Sequence, residues 1–190
     1  MNFCSIDCSS NLIDITGLCN PSDVVEVISL NPYWMQMNIS EKLEIPQQKP
    51  DVEQVNSLNI SVNIIRKEVV RTPVSPTDAN GNYIPNLEGK ISTGRKLIIE
   101  GELCQKIVYT AEDQVQSVHS AHFYVPFSSY IVVPLNINFG NDTTPIIVDS
   151  LNIDYQVNSC VEDVVVKMLD PRTILKEVTL LLYAVPNQTF

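Results

Sequence analysis

From Tyr33 onward the chain alternates apolar and polar residues with a period of two. Tyr33, Met35, Met37, Ile39, Leu43 and Ile45 fall on one face and Gln36, Asn38, Ser40, Lys42 and Glu44 on the other; only Trp34 and Glu41 break the rule. Leu58, Ile60, Val62 and Ile64 alternate with Asn59, Ser61 and Asn63. Leu97, Ile99, Leu103, Ile107 and Tyr109 alternate with Glu100, Glu102, Cys104 and Lys106. Successive strand residues point to opposite faces, so these segments predict antiparallel strands with one face packed and one solvated. Further strands are predicted over 115–125, 129–138, 146–157 and 161–169. Residues 173–185 fit helix or strand by period alone; their β-branched content and the preceding Asp170-Pro171-Arg172 turn favour a strand. One or two helical turns are expected at 50–58, where Pro50 opens the segment and Asp51 and Glu53 suit a first turn. About eight to ten strands punctuated by turns define an all-β fold, an antiparallel β-sandwich or barrel-like domain.

The 190 residues suffice for one domain with its own core. Residues 1–23 read as an N-terminal, Cys-containing arm and 24–190 as the β domain, with a mobile insertion at 72–95 that holds a small hairpin across Asn80-Gly81. Leu12, Ile13, Ile15 and Leu18 give the arm apolar side chains to dock, either on this domain or on a neighbouring copy; the sequence leaves both open.

Charge narrows the partners. Charged residues make up 18% of the chain, against roughly 25% in an average soluble domain, and such a surface suits a protein that ends packed against neighbours. The net charge is −10, with no cluster of Lys or Arg, so neither nucleic acid nor an anionic membrane surface is expected as a partner. The first basic residue is Lys42 and no long apolar run follows Met1, so no secretory signal is expected and the chain should first fold in a cytoplasm. No apolar run reaches membrane-spanning length.

Five cysteines stand at Cys4, Cys8, Cys19, Cys104 and Cys160. An odd number without a secretory signal does not read as a secreted disulfide framework, and the spacing lacks the paired C-x2-C of zinc sites. All five are candidates for disulfides between subunits. The two histidines, His119 and His122, lie three apart and so on opposite faces of one strand, which rules out joint metal ligation from it. His119 shares a face with Ala121, Phe123 and Val125 and reads as a satisfied core or edge residue. A hairpin through Thr110–Gln114 in the register that sets Cys104 opposite Ser120 would place His122 diagonally beside Cys104 on the outer face. A Cys–His pair is how cysteine hydrolases activate a nucleophile, but nothing else marks an active site. Asp78-Ala79-Asn80-Gly81-Asn82 has its Gly misplaced for a calcium loop and reads as a turn. No catalytic residue, metal or cofactor is expected.

Several segments carry a family resemblance: Leu43-Glu44-Ile45-Pro46, Lys49 to Val55, Lys96 to Leu103, Val118 to Phe123, Val125-Pro126-Phe127-Ser128 and Val161 to Val166. In this order, from about Trp34 to Val185, they resemble the SPOCS domain of Clostridia, found in spore coat and exosporium proteins. The resemblance implies a structural, interaction-mediating domain without known catalytic residues. The Cys-rich arm and the enlarged 72–95 loop depart from the family pattern. The expected function is a self-assembling structural subunit of the spore's outer envelope, in a lattice or an appendage fibre. It would be made in the mother-cell cytoplasm and cross-linked by disulfides after release, with copies of itself and other envelope proteins as partners. The rival is a non-assembling module whose 72–95 loop grips a carbohydrate or a coat-morphogenesis protein.

Overall fold

The alternating segments assemble into two facing sheets in a computed structural model that describes residues 13–141 and 143–187. In chain order the elements are β1 (Asp14–Thr16), α1 (Pro21–Leu30), β2 (Trp34–Glu44), β3 (Val52–Val74), β4 (Thr93–Ala111), β5 (Val118–Val132), β6 (Asn136–Asn138), β7 (Ile147–Asp149), a 3-10 turn (Ser150–Asn152), β8 (Tyr155–Asp170) and β9 (Thr173–Pro186). One sheet has the strand order β1-β3-β4-β5 and the other β2-β9-β8, while β6 and β7 form a small ribbon. Among the described residues only the short β1 pairs in parallel, Asp14–Thr16 lying along Ser57–Asn59 of β3. The expected all-β antiparallel sandwich is what forms.

The two central strands, β4 and β9, supply the core. Leu97, Ile99, Leu103, Ile107 and Tyr109 of β4 and Ile174, Val178, Leu180, Leu182 and Ala184 of β9 are all buried. Each large aliphatic side chain so buried contributes about 1.5–3 kcal/mol. Gly101 interrupts the β4 series for a reason of space. It pairs with Phe127 of β5, and a Cβ there would lie 2.6 Å from the Phe127 ring and 2.7 Å from the carbonyl oxygen of Asn63. Glycine therefore lets the ring cover the strand.

Residues 50–58 are not helical. Val52, Val55 and Leu58 are buried in β3, and bulges between Val52 and Gln54 and between Val55 and Ser57 insert one unpaired residue each. A bulge turns the strand's two-residue period into three, which imitates helical spacing in the sequence. The helix lies instead at α1. Asn20 caps it, its Oδ1 accepting from Ser22 N–H at 3.2 Å, with Pro21 as the first helical residue and Asp23 in the first turn. The strands expected at 115–125 and 129–138 join across residues 118–132 into the single strand β5, because Pro126 sits on an edge strand, where a missing N–H is tolerated, while Asn136–Asn138 form the separate β6. Residues 146–157 are strand at both ends, in β7 and at the start of β8, with the 3-10 turn Ser150–Asn152 between; the long β8 runs on through 161–169, with a bulge at Val161/Asp163. Residues 173–185 form β9, which resolves their ambiguity as strand.

The insertion is narrower than 72–95, since β3 runs to Val74 and β4 starts at Thr93. Ser75 N–H donates to Ser92 O at 2.8 Å and closes its base. The small hairpin across Asn80-Gly81 is present: Thr77 bridges to Tyr83, and Asp78 Oδ1 accepts the N–H groups of Asn80 and Asn82, both at 2.9 Å. That geometry makes the Asp78–Asn82 segment a turn.

A lysine is fully buried between the two sheets. Lys176 of β9 is 0% exposed, the Glu41 side chain beside it on β2 is 12% exposed, and Gln105 reaches both from the opposite sheet at 3% exposure. Lys176 Nζ donates to Glu41 Oε1 and to Gln105 Oε1, and Gln105 Nε2 donates to Glu41 Oε1 at 3.0 Å. Burial lowers the Lys176 pKa, against the opposing pull of Glu41.

At the base of the insertion the half-buried Asp149 holds Arg95 by two parallel bonds, Nε to Oδ1 at 3.1 Å and a terminal nitrogen to Oδ2 at 2.8 Å. Asp149 Oδ1 also caps the 3-10 turn at Leu151 N–H. Arg95 first, and that cap second, lower the Asp149 pKa from 3.8 to about 2. A carboxylate whose folded pKa is depressed stabilises the fold above its unfolded value, and the gain is lost as pH falls through the folded value. Asp149→Asn should therefore weaken the protein at neutral pH yet narrow its deficit between pH 3.8 and about 2, as read by urea midpoints at each pH. A deficit independent of pH over that window would contradict the assignment.

Candidate functional site

The described part of the arm docks on its own domain. Ile13 and Ile15 pack against the core, and Asn59 donates to Thr16 Oγ1 at 2.8 Å. Gly17 then turns the chain with a φ of +102°, where a Cβ would sit 1.9 Å from the Ile60 carbonyl oxygen, so no other residue fits. Beyond this turn Cys19 N–H donates to Val161 O of β8 at 3.0 Å, and Cys19 forms a disulfide with Cys160, their Cα atoms 5.4 Å apart. The segment is a strap, hydrogen-bonded to β3 in one sheet and covalently tied to β8 in the other. This corrects the expectation for two of the cysteines: Cys19 and Cys160 are joined within one chain and not between subunits, because the strap delivers Cys19 to Cys160 directly. Cys4 and Cys8 lie outside the described residues.

The opposite side of the sandwich is built differently. There β2 and β5 run side by side as the last strands of the two sheets, and among the described residues no strand pairs with the outer edge of either one. Ser129 Oγ of β5 contacts Met35 Sδ of β2 at 3.1 Å and links the two edges. Between them and the 75–92 loop runs a groove of about 800 Å³, lined among others by Trp34, Ile91, Lys96, Tyr130 and Val132. Trp34 is 41% and Tyr130 46% exposed. Lys96 Nζ stands 3.8 Å from the centre of the Tyr130 ring, a cation–π contact that fixes the aromatic face.

Cys104 is the free thiol among the described residues, half-buried on the outer face of β4. The hairpin to β5 forms, but in a register four residues from the one expected: Cys104 faces Tyr124, and Ser120 faces Val108. A shift by an even number keeps the faces unchanged. His122, paired with Lys106, consequently remains diagonal to Cys104 on the same side, and both line a shallow depression with Asn59, Ser61 and Tyr124. The electrostatics oppose activation. Burial first, then the Glu102 carboxylate at 3.8 Å from Sγ, raise the Cys104 pKa and hold the thiol protonated. His119 stacks on Tyr109 with ring centres 5.9 Å apart and shares a 2.9 Å hydrogen bond with Ser117 Oγ, the satisfied histidine its face implied. Among the described residues no group of three or more His, Cys, Asp or Glu side chains is placed to hold a metal.

Two facing sheets, strapped on one side and open along a groove on the other, make a β-sandwich domain. A family model, SipL, SPOCS domain, matches residues 51–169, more than half of the chain. The chain belongs to this family and is a sporulation-related protein. The matched stretch runs from β3 almost to the end of β8, so β2, β9 and the strap lie outside it. No curated protein and no solved structure matches the chain.

Sequence reasoning missed the strap bond, the buried lysine and the groove's precise walls. Only Trp34, an apolar residue at an outward position of β2, signalled the groove. The Cys19–Cys160 bond closes a loop of 141 residues, so Cys19→Ser should lower the unfolding free energy by about 2–4 kcal/mol. Urea unfolding of both proteins measures the difference, which should vanish when wild type is reduced. Equal stability of oxidised wild type and variant would show that the bond does not constrain the domain.

Proposed function

We propose that the protein is a self-assembling structural subunit of the spore's outer envelope, made in the mother-cell cytoplasm and deposited on the spore surface, and that it is not an enzyme. One observation carries the assembly reading: the β2/β5 side leaves two strand edges unpaired, while the strap ties the other side together. Unpaired edges are templates for pairing with another chain. Here they adjoin exposed Tyr130 at 46% and Tyr124 at 66%, the rigid amphipathic side chains that dominate protein interfaces. The partner is a further copy of the chain, joined through the β2/β5 side.

Covalent locking between copies falls to Cys104, with Cys4 and Cys8 as the other thiols not engaged in the strap bond. Because the Cys104 thiol is held protonated, its oxidation by dissolved oxygen should accelerate as pH rises. The second reading, a binding module, is favoured by the groove beneath the 75–92 loop, whose Trp34 and Tyr130 suit the face of a sugar or an extended peptide.

Sedimentation and electron microscopy of the full chain separate the two. Assembly predicts ordered polymer, with a fraction that survives denaturant until thiol reductant returns it to the 21.3 kDa monomer. Tyr124→Lys together with Tyr130→Lys should leave the fold intact and weaken association about tenfold or more. Cys104→Ser should reduce the reductant-sensitive fraction and spare the polymer's order. A protein that stays monomeric at all concentrations, and whose only tryptophan, Trp34, responds to a soluble glycan, would favour the binding module instead.

A further inference from the structure

We propose that the buried cluster of Lys176, Gln105 and Glu41 is a self-processing site that joins Lys176 to Gln105 through an intramolecular isopeptide bond, with Glu41 shuttling the protons. The inference is independent of the assembly reading. It begins from an anomaly: a lysine at 0% exposure in the middle of a two-sheet core is costly, and a hydrophobic residue of similar volume would serve packing as well or better. What the lysine touches is specific. Its Nζ contacts the carbonyl oxygen of the Gln105 carboxamide, one covalent bond from the electrophilic carbon Cδ. Turning the carboxamide about its broad terminal torsion presents that carbon to the nitrogen. The same Glu41 oxygen, Oε1, contacts both Lys176 Nζ and, at 3.0 Å, the nitrogen Nε2 that would leave. One carboxylate oxygen thus bridges the attacking and departing nitrogens, the placement that proton transfer between them requires.

The step balances without an outside reagent. A proton passes from the Lys176 ammonium to the Glu41 carboxylate, leaving a neutral amine and a carboxylic acid; burial, which disfavours the lysine's charge, assists this transfer. The amine lone pair adds to Cδ of Gln105. Glu41 gives its proton to Nε2 and takes one from the former Nζ. The Cδ–Nε2 bond breaks, ammonia departs, and the new Cδ–Nζ amide remains beside a protonated Glu41. No group is oxidised or reduced. Leu43 on β2, Leu103 and Ile107 on β4 and Ile174 and Val178 on β9 are all buried on the strands that carry the three residues, which keeps competing water away from the carboxamide. Because the fold fixes all three residues, the reaction is intramolecular in effect and gains the large effective concentrations of oriented groups. The product would tie the central strands of the two sheets to each other covalently.

Mass spectrometry of the full chain, folded, held until its mass is constant and then reduced, decides the matter. The expected mass is that of the sequence less one molecule of ammonia. Protease mapping should find no cleavage after Lys176 and a branched peptide containing both Lys176 and Gln105. Lys176→Met and Glu41→Gln should return the linear mass. Because either variant could misfold, Gln105→Glu supplies a third arm: it forms the same product by losing water, so its mature mass should equal that of mature wild type. A wild-type chain of full linear mass that is cut after Lys176 overturns the proposal. So does an ammonia loss that maps to the Asn80-Gly81 turn instead of the branched peptide.

Discussion

A sheet that does not close into a barrel ends in strands whose outer N–H and C=O groups have no partner, and each end must be covered, paired or left as an invitation. This sandwich treats its two sides unequally. Along β3 and β8 the chain covers its own edges: β1 adds a short parallel strand to β3, Gly17 turns the backbone, and Cys19 both hydrogen-bonds and disulfide-bonds to β8. Along β2 and β5 nothing of the kind happens among the described residues. The groove, the exposed tyrosines and the 75–92 loop all gather on that uncovered side. The rest of the functional account follows from this asymmetry.

Much of the fold is legible in the alternation of residues, because half-buried antiparallel strands write their faces directly into the sequence. The misreadings have physical causes. Bulges in β3 put Val52, Val55 and Leu58 three apart and disguised a strand as a helix. The true helix carried its signature openly in Asn20-Pro21-Ser22-Asp23, and its apolar Val25 and Leu30 are exposed rather than packed in the core. The pairing of Cys19 with Cys160 could not be read from spacing, since only the path of the strap brings residues 141 apart together. The hairpin register was off by four, yet Cys104 and His122 kept their neighbourhood because side-chain faces depend on parity alone.

The two exceptions to the β2 alternation were the informative positions. Trp34 puts an aromatic ring where a polar residue belongs and becomes a wall of the groove. Glu41 puts a carboxylate where an apolar residue belongs and becomes the partner of buried Lys176. Local departures from a pattern that otherwise specifies the fold mark places where something other than packing has been selected. Both departures here sit on a strand outside the matched family stretch, as does the strap. With the strap bond across one flank and the Lys176 cluster across the centre, the domain's two sheets are tied to each other twice.

The unequal treatment of the two sides is the central claim, and amide hydrogen exchange compared between dilute and concentrated protein tests it most directly. If copies join through the uncovered side, amides of β2 and β5 should gain protection as concentration rises, while those of β1, β3 and β8 beneath the strap should exchange at the same rate in both samples. Protection that appears along β3 and β8, with β2 and β5 unchanged, would contradict the account.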